Sequence, residues 1–517
     1  MRHRHRHKRQ AEARPWSEPL IESGVLALLV FTPLSYGTVE PWSEAISELV
    51  ILGMGLVWLL SMLQHWELRL ELPGGWQPAG LFLALIVIQT LPLPNALISL
   101  ISPSTATLMR GARGVTGDMA STMALSLQLD SAWRMALKFL ALALFFLVTY
   151  NTYRRPAQVR RAVWVMIGMG TLIALFGLAQ RMTSNGRFYW VGPEGAGANA
   201  FGPFVNRVHF AGLIVTILPM ALALMLVDRS NSRRRQQPRH WQERLRAWNS
   251  RQGGPASLIP WLVFLMGGAA LVGGSRGGLL ALLMALLIMV GLSAYGSSGR
   301  KRARRMAITA GLTVLTAIWI GSDVLYGTIE RLAEEIGQPE TSPRLRLWAD
   351  ALDLWWQFPT FGTGLGTFGV VFPLVRTLPA PVTFTHAESD WIQLLTDTGI
   401  MGVLLASLTV GMSAAALLRR YRGAKNRWTY TFTLAGLVAL AGAVVQGIAN
   451  FNLPVMSNFV YLALAMALAL RAEDIAGGDD RACVARSSPR SRQTEIIMAT
   501  PQASSPAPQD DRARVTI

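Results

Sequence analysis

The densest run of reactive side chains in this sequence is Thr385-His386-Ala387-Glu388-Ser389-Asp390-Trp391-Ile392-Gln393, directly ahead of an apolar stretch. A free imidazole titrates at about 6.5 and can take up or release a proton near neutral pH. Glu388 or Asp390, at i+2 and i+4, would fix the tautomer of His386 and raise its basicity. A helix starting near Ser389 would place its N-terminus, which favours negative charge, beside the imidazole. The chemistry such a group suits is general-base abstraction of a hydroxyl proton.

Two arginines have the second recognisable setting. Arg207 lies in Phe204-Val205-Asn206-Arg207-Val208-His209-Phe210-Ala211-Gly212, and Arg276 in Gly273-Gly274-Ser275-Arg276-Gly277-Gly278. A guanidinium is charged at every working pH and binds phosphate oxygens through two parallel N–H donors. Glycines around Arg276 let another backbone or a ligand approach closely. The plainer role for an arginine at the end of an apolar segment is to snorkel into the interface. His209 falls about one turn inside its apolar segment, where packing or hydrogen bonding is the expectation. Gln446 and Asn450 flank a polar hairpin, Gln446–Pro454, whose amides suit sugar hydroxyls or helix capping. Asn206, His209, Glu388, Asp390, Gln446 and Asn450 make up the candidate substrate-binding set. The stretch Gly364–Gly369 fits G-x-G-x-x-G, but no strand precedes it. A flexible loop over the site is expected there rather than a nucleotide fold.

These groups must be held by membrane helices. The chain has 51% apolar and 15% charged residues, and its mean hydropathy is +0.34; soluble chains carry about 25% charge. Twelve apolar segments are long enough, with their flanks, to serve as spans of a bilayer core about 30 Å thick. They lie near 20–37, 45–63, 78–94, 132–150, 160–180, 208–227, 257–274, 277–295, 306–322, 398–418, 429–448 and 453–471. The expected fold is therefore an all-α integral membrane bundle, with one large outer loop at 323–397 carrying short helices. Pro343–Trp356, with its spaced leucines and tryptophans, suits an interfacial helix.

A net charge of +18 would suggest a polyanion partner in a soluble protein. Here the basic clusters precede the first span or follow even-numbered ones, at 2–14, 154–161, 229–251, 300–305 and 419–427. Between residues 323 and 390 stand nine acidic residues against four arginines. The positive-inside rule then puts both termini and the basic loops in the cytoplasm, against anionic lipid, and His386, Arg207 and Arg276 on the outer face. No nucleic acid partner is expected. The His/Arg-rich start (1–19) reads as a topogenic tail rather than a metal site, and no cleavable signal is evident. Cys483 is the single cysteine, so no disulfide framework exists. Residues 472–517, poor in apolar side chains, are expected to be disordered, leaving 20–471 as the membrane domain.

Taken together and in order, five motifs resemble the O-antigen ligase and Wzy polymerase superfamily of bacterial membrane glycan transferases. They are Phe204–Gly212, Gly274–Gly278, Pro359–Phe368, His386–Gln393 and Asn450–Pro454, and the similarity extends over about residues 200–470. That resemblance implies transfer of a glycan from undecaprenyl diphosphate to an acceptor sugar or glycolipid at the periplasmic face of the inner membrane. Arg207 and Arg276 would hold the diphosphate, and His386 would activate the acceptor hydroxyl. The implied displacement inverts the anomeric carbon and needs no metal or other cofactor. The chain departs from the family at Gln446 and Asn450, where His and Asp are common, and at Glu388, where Asn is common. A ligase activity is the first expectation, and a polymerase with the same chemistry the alternative. A polysaccharide transporter, or a non-catalytic export component, is the reading from other classes. A transporter would carry a coupling carboxylate at mid-membrane and an inverted repeat, and neither is evident in the sequence.

Overall fold

The computed structural model describes residues 15–65, 70–116, 120–183, 185–191, 199–233, 258–275, 282–283, 289, 311, 342–377 and 384–476. Ten helices within these residues run between two ends of a bundle. They are α1 (Ser17–Leu34), α2 (Pro41–His65), α3 (Trp76–Ile88), α6 (Leu129–Thr152), α7 (Pro156–Thr183), α8 (Arg207–Arg233), α9 (Ile259–Val272), α12 (Asp390–Arg422), α13 (Arg427–Ala449) and α14 (Met456–Leu470). Seven are long and apolar enough to cross a membrane, and α3, α9 and α14 are shorter apolar helices. Ten of the twelve expected spans thus coincide with a helix. The other two, 277–295 and 306–322, lie outside the described residues but for Leu282, Leu283, Met289 and Gly311.

The core forms around α8, which is largely apolar on every side and buried throughout 209–227; a helix apolar all round has no face to give to water. It packs against α7, α9, α13 and α14. By contrast α2 exposes Leu49, Leu52, Leu56, Leu59 and Leu63. So long an exposed leucine stripe is foreign to a soluble surface and suits lipid.

The two ends differ in chemistry. At one, arginines at the start of α7 meet acids from its neighbours. Arg161 holds Glu22 with two bonds of 2.6 and 2.8 Å, Arg155 meets Glu18 at 3.3 Å, and Arg160 pairs with Asp228. Buried Arg471 joins Glu71 and Asp474 there and donates to Tyr150 O at 2.8 Å. Basic residues at this end therefore tie the helices together. Residues 472–476, expected to be disordered, continue as a helical turn with Ala472 and Ile475 buried.

The opposite end carries the excursions. Two short helices, α4 (Asn95–Ile101) and α5 (Pro103–Thr116), are joined back by an antiparallel pairing of Leu93–Pro94 with Thr122–Met123. A second excursion holds α10 (Pro343–Gln357) and α11 (Phe368–Val371). Ser342 caps α10 by accepting from Leu345 N. Its inner face is Leu347, Ala351 and Leu354, which are out of solvent, whereas Leu352 and Trp356 of the apolar set read from the sequence are exposed. The Gly364–Gly369 stretch departs from expectation: it is a closely packed turn. Gly364 N donates to Asp397 O at 2.9 Å, Leu365 N to Gln89 Oε1 at 3.2 Å and Gly366 N to Asp397 Oδ2 at 2.8 Å. Its Gly364 has φ +110°, and a Cβ there would lie 2.2 Å from Ser126 Oγ, so its glycines serve backbone packing and not a phosphate.

Candidate functional site

The site is assembled where α12 begins. Ser389 is the N-cap: its hydroxyl accepts from Ile392 N at 3.4 Å and donates to Gly447 O at 3.2 Å. This cap lies where the sequence places the helix start, and it extends the helix eight residues beyond the expected span at 398–418. Asp390 follows, buried. Its N–H donates to Asn450 O at 3.0 Å, and its carboxylate accepts from Asn452 N at 3.1 Å and Leu453 N at 3.2 Å. One side chain thus fixes the α13–α14 hairpin to the start of α12. Gly447 leaves the room for it, since a Cβ there would stand 3.1 Å from Asp390 Oδ2.

The hairpin presents Phe451 between two imidazoles. His386 stacks on one side at 4.3 Å between centroids and 18°. His209 meets the ring edge-on at 5.0 Å and 81°. His386 and His209, 177 positions apart in sequence, thus share one aromatic ring.

The hydrogen bonds of His386 set its tautomer. Gln393 Oε1 lies 3.1 Å from His386 Nδ1 and accepts from Ala387 N at 3.4 Å. An atom that accepts from a backbone N–H is the amide oxygen, so Nδ1 carries the proton and donates. In the neutral ring the lone pair is then on Nε2, the form a base requires. Buried Asp397 stands one turn further along the same helix, its Oδ2 accepting from Gly366 N at 2.8 Å. Burial pulls the pKa of His386 below the ordinary imidazole value; the Gln393 bond opposes that shift and Lys138 adds to it.

The expected carboxylate partners of His386 are elsewhere engaged. Glu388 stands in the left-handed region at φ +54° and faces Arg344 at 3.7 Å, while burial raises its pKa. Asp390 serves the hairpin amides. The cap at Ser389 turns both away, and Gln393, one turn along the helix, comes under the ring instead. Trp348 Nε1 on α10 donates to Ala387 O at 3.0 Å and steadies the same loop.

The second imidazole is buried, whereas His386 is half-buried. His209 Nδ1 lies 3.1 Å from Asn452 Oδ1, which also accepts from Asn458 Nδ2 at 2.9 Å. His209 therefore donates from Nδ1 too. A Cβ at Gly212 would lie 2.8 Å from Asn458 Nδ2, so the glycine is what admits this triad. Arg207 sits two residues ahead, partly buried in the first turn of α8. Asn206 caps that turn, accepting from Val208 N at 3.0 Å, and Gln446 Nε2 donates to Val208 O at 3.2 Å. Asn450 and Asn452 are buried, and their Nδ2 atoms have no partner. Unfilled buried donors are costly, and next to two imidazoles they are ready for ligand oxygens.

The structure thus brings His386, His209, Asp390, Asn450 and Asn452 to one cluster and joins the turn carrying Asn206 and Arg207 to it through Gln446. Arg276 lies outside the described residues. Gln393, Phe451 and Asn452 fall inside motifs the sequence singles out, with no role assigned to them there. Lys138 escaped notice altogether. It is a buried ammonium in the apolar run Ala136–Leu142, paired with Glu44 of α2 and donating to Pro454 O at 3.1 Å. Its signal is in the sequence: an ionisable residue inside a membrane span marks a pairing or a function. Among the described residues no group of three or more His, Cys, Asp or Glu side chains is arranged to hold a metal.

Comparison with known proteins adds one finding. A family model described as O-antigen ligase matches residues 261–407. This segment runs from α9 through Arg276 and α10 to His386 and the first half of α12, within the region of resemblance seen in the sequence. No curated protein matches the chain.

Proposed function

We propose that this membrane chain, which carries an O-antigen ligase domain, transfers a glycan from a polyprenyl diphosphate to an acceptor hydroxyl outside the cytoplasm. The observation that carries the reading is the cluster around Phe451. A half-buried imidazole stacks on one side with Nδ1 toward the Gln393 amide oxygen, which leaves Nε2 as the acceptor, and two unfilled amide donors stand beside it.

In the reaction, the acceptor oxygen bonds to the anomeric carbon while His386 Nε2 takes its proton. The bond from that carbon to the diphosphate oxygen breaks, and the polyprenyl diphosphate leaves with the electron pair. Arg207 and Arg276 stabilise the charge gathered on the departing oxygens. Asn450 and Asn452 donate to sugar oxygens. Back-side attack inverts the anomeric centre. Ligation to a glycolipid and polymerisation onto a second carrier use these same steps and differ in the acceptor; the ligase reading is favoured by the domain matched.

The test is a reconstituted reaction with a polyprenyl-diphosphate-linked oligosaccharide and candidate acceptors, following released polyprenyl diphosphate. His386→Ala is expected to lower kcat by roughly 10²–10⁴-fold, the usual share of a general base. Arg207→Lys keeps the charge but loses the two-point grip, so KM for the donor should rise, and rise further in Arg207→Ala. Unchanged transfer in His386→Ala and Arg276→Ala would sink the proposal.

A further inference from the structure

Lys138 is buried in α6, and the proposed reaction leaves it without a task. It pairs with Glu44 in the first turn of α2, where Glu48 also lies within reach of its charge. It donates as well to Pro454 O at 3.1 Å. Pro454 stands just ahead of Val455, the N-cap of α14, so the ammonium touches the hairpin that carries Phe451. Helix α6 packs on both α2 and α14, and this one side chain bonds to all three parts.

The hairpin is thereby gripped at opposite poles of its backbone. The Asp390 carboxylate accepts from Asn452 N at 3.1 Å and Leu453 N at 3.2 Å, while Lys138 donates to the Pro454 carbonyl. A negative group takes the N–H ends and a positive group the C=O end, each bond being charge-assisted. Phe451 immediately precedes the gripped run, so its stack on His386 at 4.3 Å inherits that placement.

Stability alone does not account for the ammonium. A buried ion pair is often exchanged for apolar side chains without loss, and an ionisable group inside a membrane span marks a pairing or a function. Pairing is met by Glu44, and the bond to Pro454 goes beyond it. The other charged groups around His386 are engaged elsewhere. Glu388 faces Arg344 at 3.7 Å, Asp390 holds the hairpin, and Asp397 accepts from Gly366 N. His209, across Phe451, bonds to Asn452, and Arg207 opens α8 two residues ahead of it. Burial lowers the pKa of His386, the Gln393 bond opposes that, and the Lys138 charge lowers it again.

We propose that Lys138 is a positioning residue of the transferase site, holding the hairpin by Pro454 opposite the grip of Asp390 and so keeping Phe451 stacked on the base. The role rests on the proposed transferase reading. A positive charge at this place also disfavours the imidazolium, which leaves more of His386 in the accepting form.

The experiment uses the full chain in lipid nanodiscs with isotope-labelled histidines, read by NMR and by donor turnover. The His386 signals are those missing from His386→Ala, and a ring stacked this closely shifts them upfield. Lys138→Met combined with Glu44→Met removes the grip without stranding a charge. In that double variant the upfield shift should be lost and the His386 titration midpoint should rise by roughly half a unit or more. At about pH 7.5, above the titration of the ring, kcat should fall roughly 10–10²-fold as the base is misplaced, with donor KM changed far less. Glu44→Gln keeps an acceptor for the ammonium and leaves Pro454 held, so it should retain the stack and lower the midpoint. A pair with a purely structural role would not move one midpoint in opposite directions. A double variant that keeps both the stack and the parent midpoint would overturn the proposal. So would loss of the stack in Glu44→Gln, or a fall in kcat with both resonance readouts unchanged. A parent protein that transfers no glycan would defeat the transferase reading, while stack and midpoint would still decide the grip.

Discussion

At His386 the neutral ring is favoured by its burial, and its fixed partner is an amide oxygen rather than a carboxylate. An amide orients the ring without adding a negative charge that would hold the proton. The consequence for pH is definite in sign. A base works unprotonated, so activity falls as pH drops through the pKa of the ring. Burial sets that pKa below the ordinary value of about 6.5, so the acid limb of kcat/KM should have its midpoint below it and the rate should stay flat through neutrality. Initial rates of transfer between about pH 4.5 and 8 check this; a midpoint above the ordinary imidazole value would contradict the observed environment. The sequence exposes His386 because few titratable groups interrupt the apolar chain. It hides the partner, because Glu388 and Asp390 are nearer in sequence than Gln393. Only the cap at Ser389 and the left-handed turn at Glu388 decide which side chain comes under the ring, and those are properties of the folded loop.

Helix α12 shows how one element serves both site and membrane. Gly399 interrupts it with φ +63° and ψ −169°, a conformation restricted almost wholly to glycine. The break lets Ile400 N and Met401 N donate to Pro359 O and Thr360 O at 2.9 and 3.2 Å. A Cβ at Gly399 would lie 2.3 Å from Thr360 O. Gly399→Ala combines backbone strain with overpacking and should cost about 2–5 kcal/mol, read as a lowered thermal unfolding midpoint in detergent. Wild-type stability would show that the loop yields freely. Apolar density in the sequence starts this span near Thr398 because Asp390, Gln393, Thr396 and Asp397 interrupt it earlier. All four are buried against protein, so they lower hydropathy without touching lipid. A window average cannot separate those two surroundings. The expected span at 78–94 also overruns its helix: α3 ends at Ile88, ahead of Pro92 and Pro94.

For the molecule as a whole, charge placement is legible and charge pairing is not. The basic clusters are evident in the sequence, whereas their acidic partners Glu22, Asp228 and Glu71 come from other helices. The Lys138–Glu44 pair is the sharpest case, being buried beside the hairpin. Removing one partner strands a charge and should cost about 3–5 kcal/mol, whereas Lys138→Met combined with Glu44→Met should recover most of it. Unfolding midpoints of the two single variants and the double variant settle the matter; a double variant no better than the singles would mean that the pair's value is not electrostatic. One arrangement also bears on how the protein comes into being. Helix α14 is the last of the ten described bundle helices in chain order, yet it closes against the first: Tyr461 Oη donates to Leu29 O at 2.6 Å and Ser457 N to Gly37 O, just past α1, at 3.4 Å. A nascent chain inserted only as far as Ala449 possesses neither Phe451 nor Asn452. On the proposed function, a copy that stalls before α14 holds an incomplete site and turns over no donor until its translation has passed that helix.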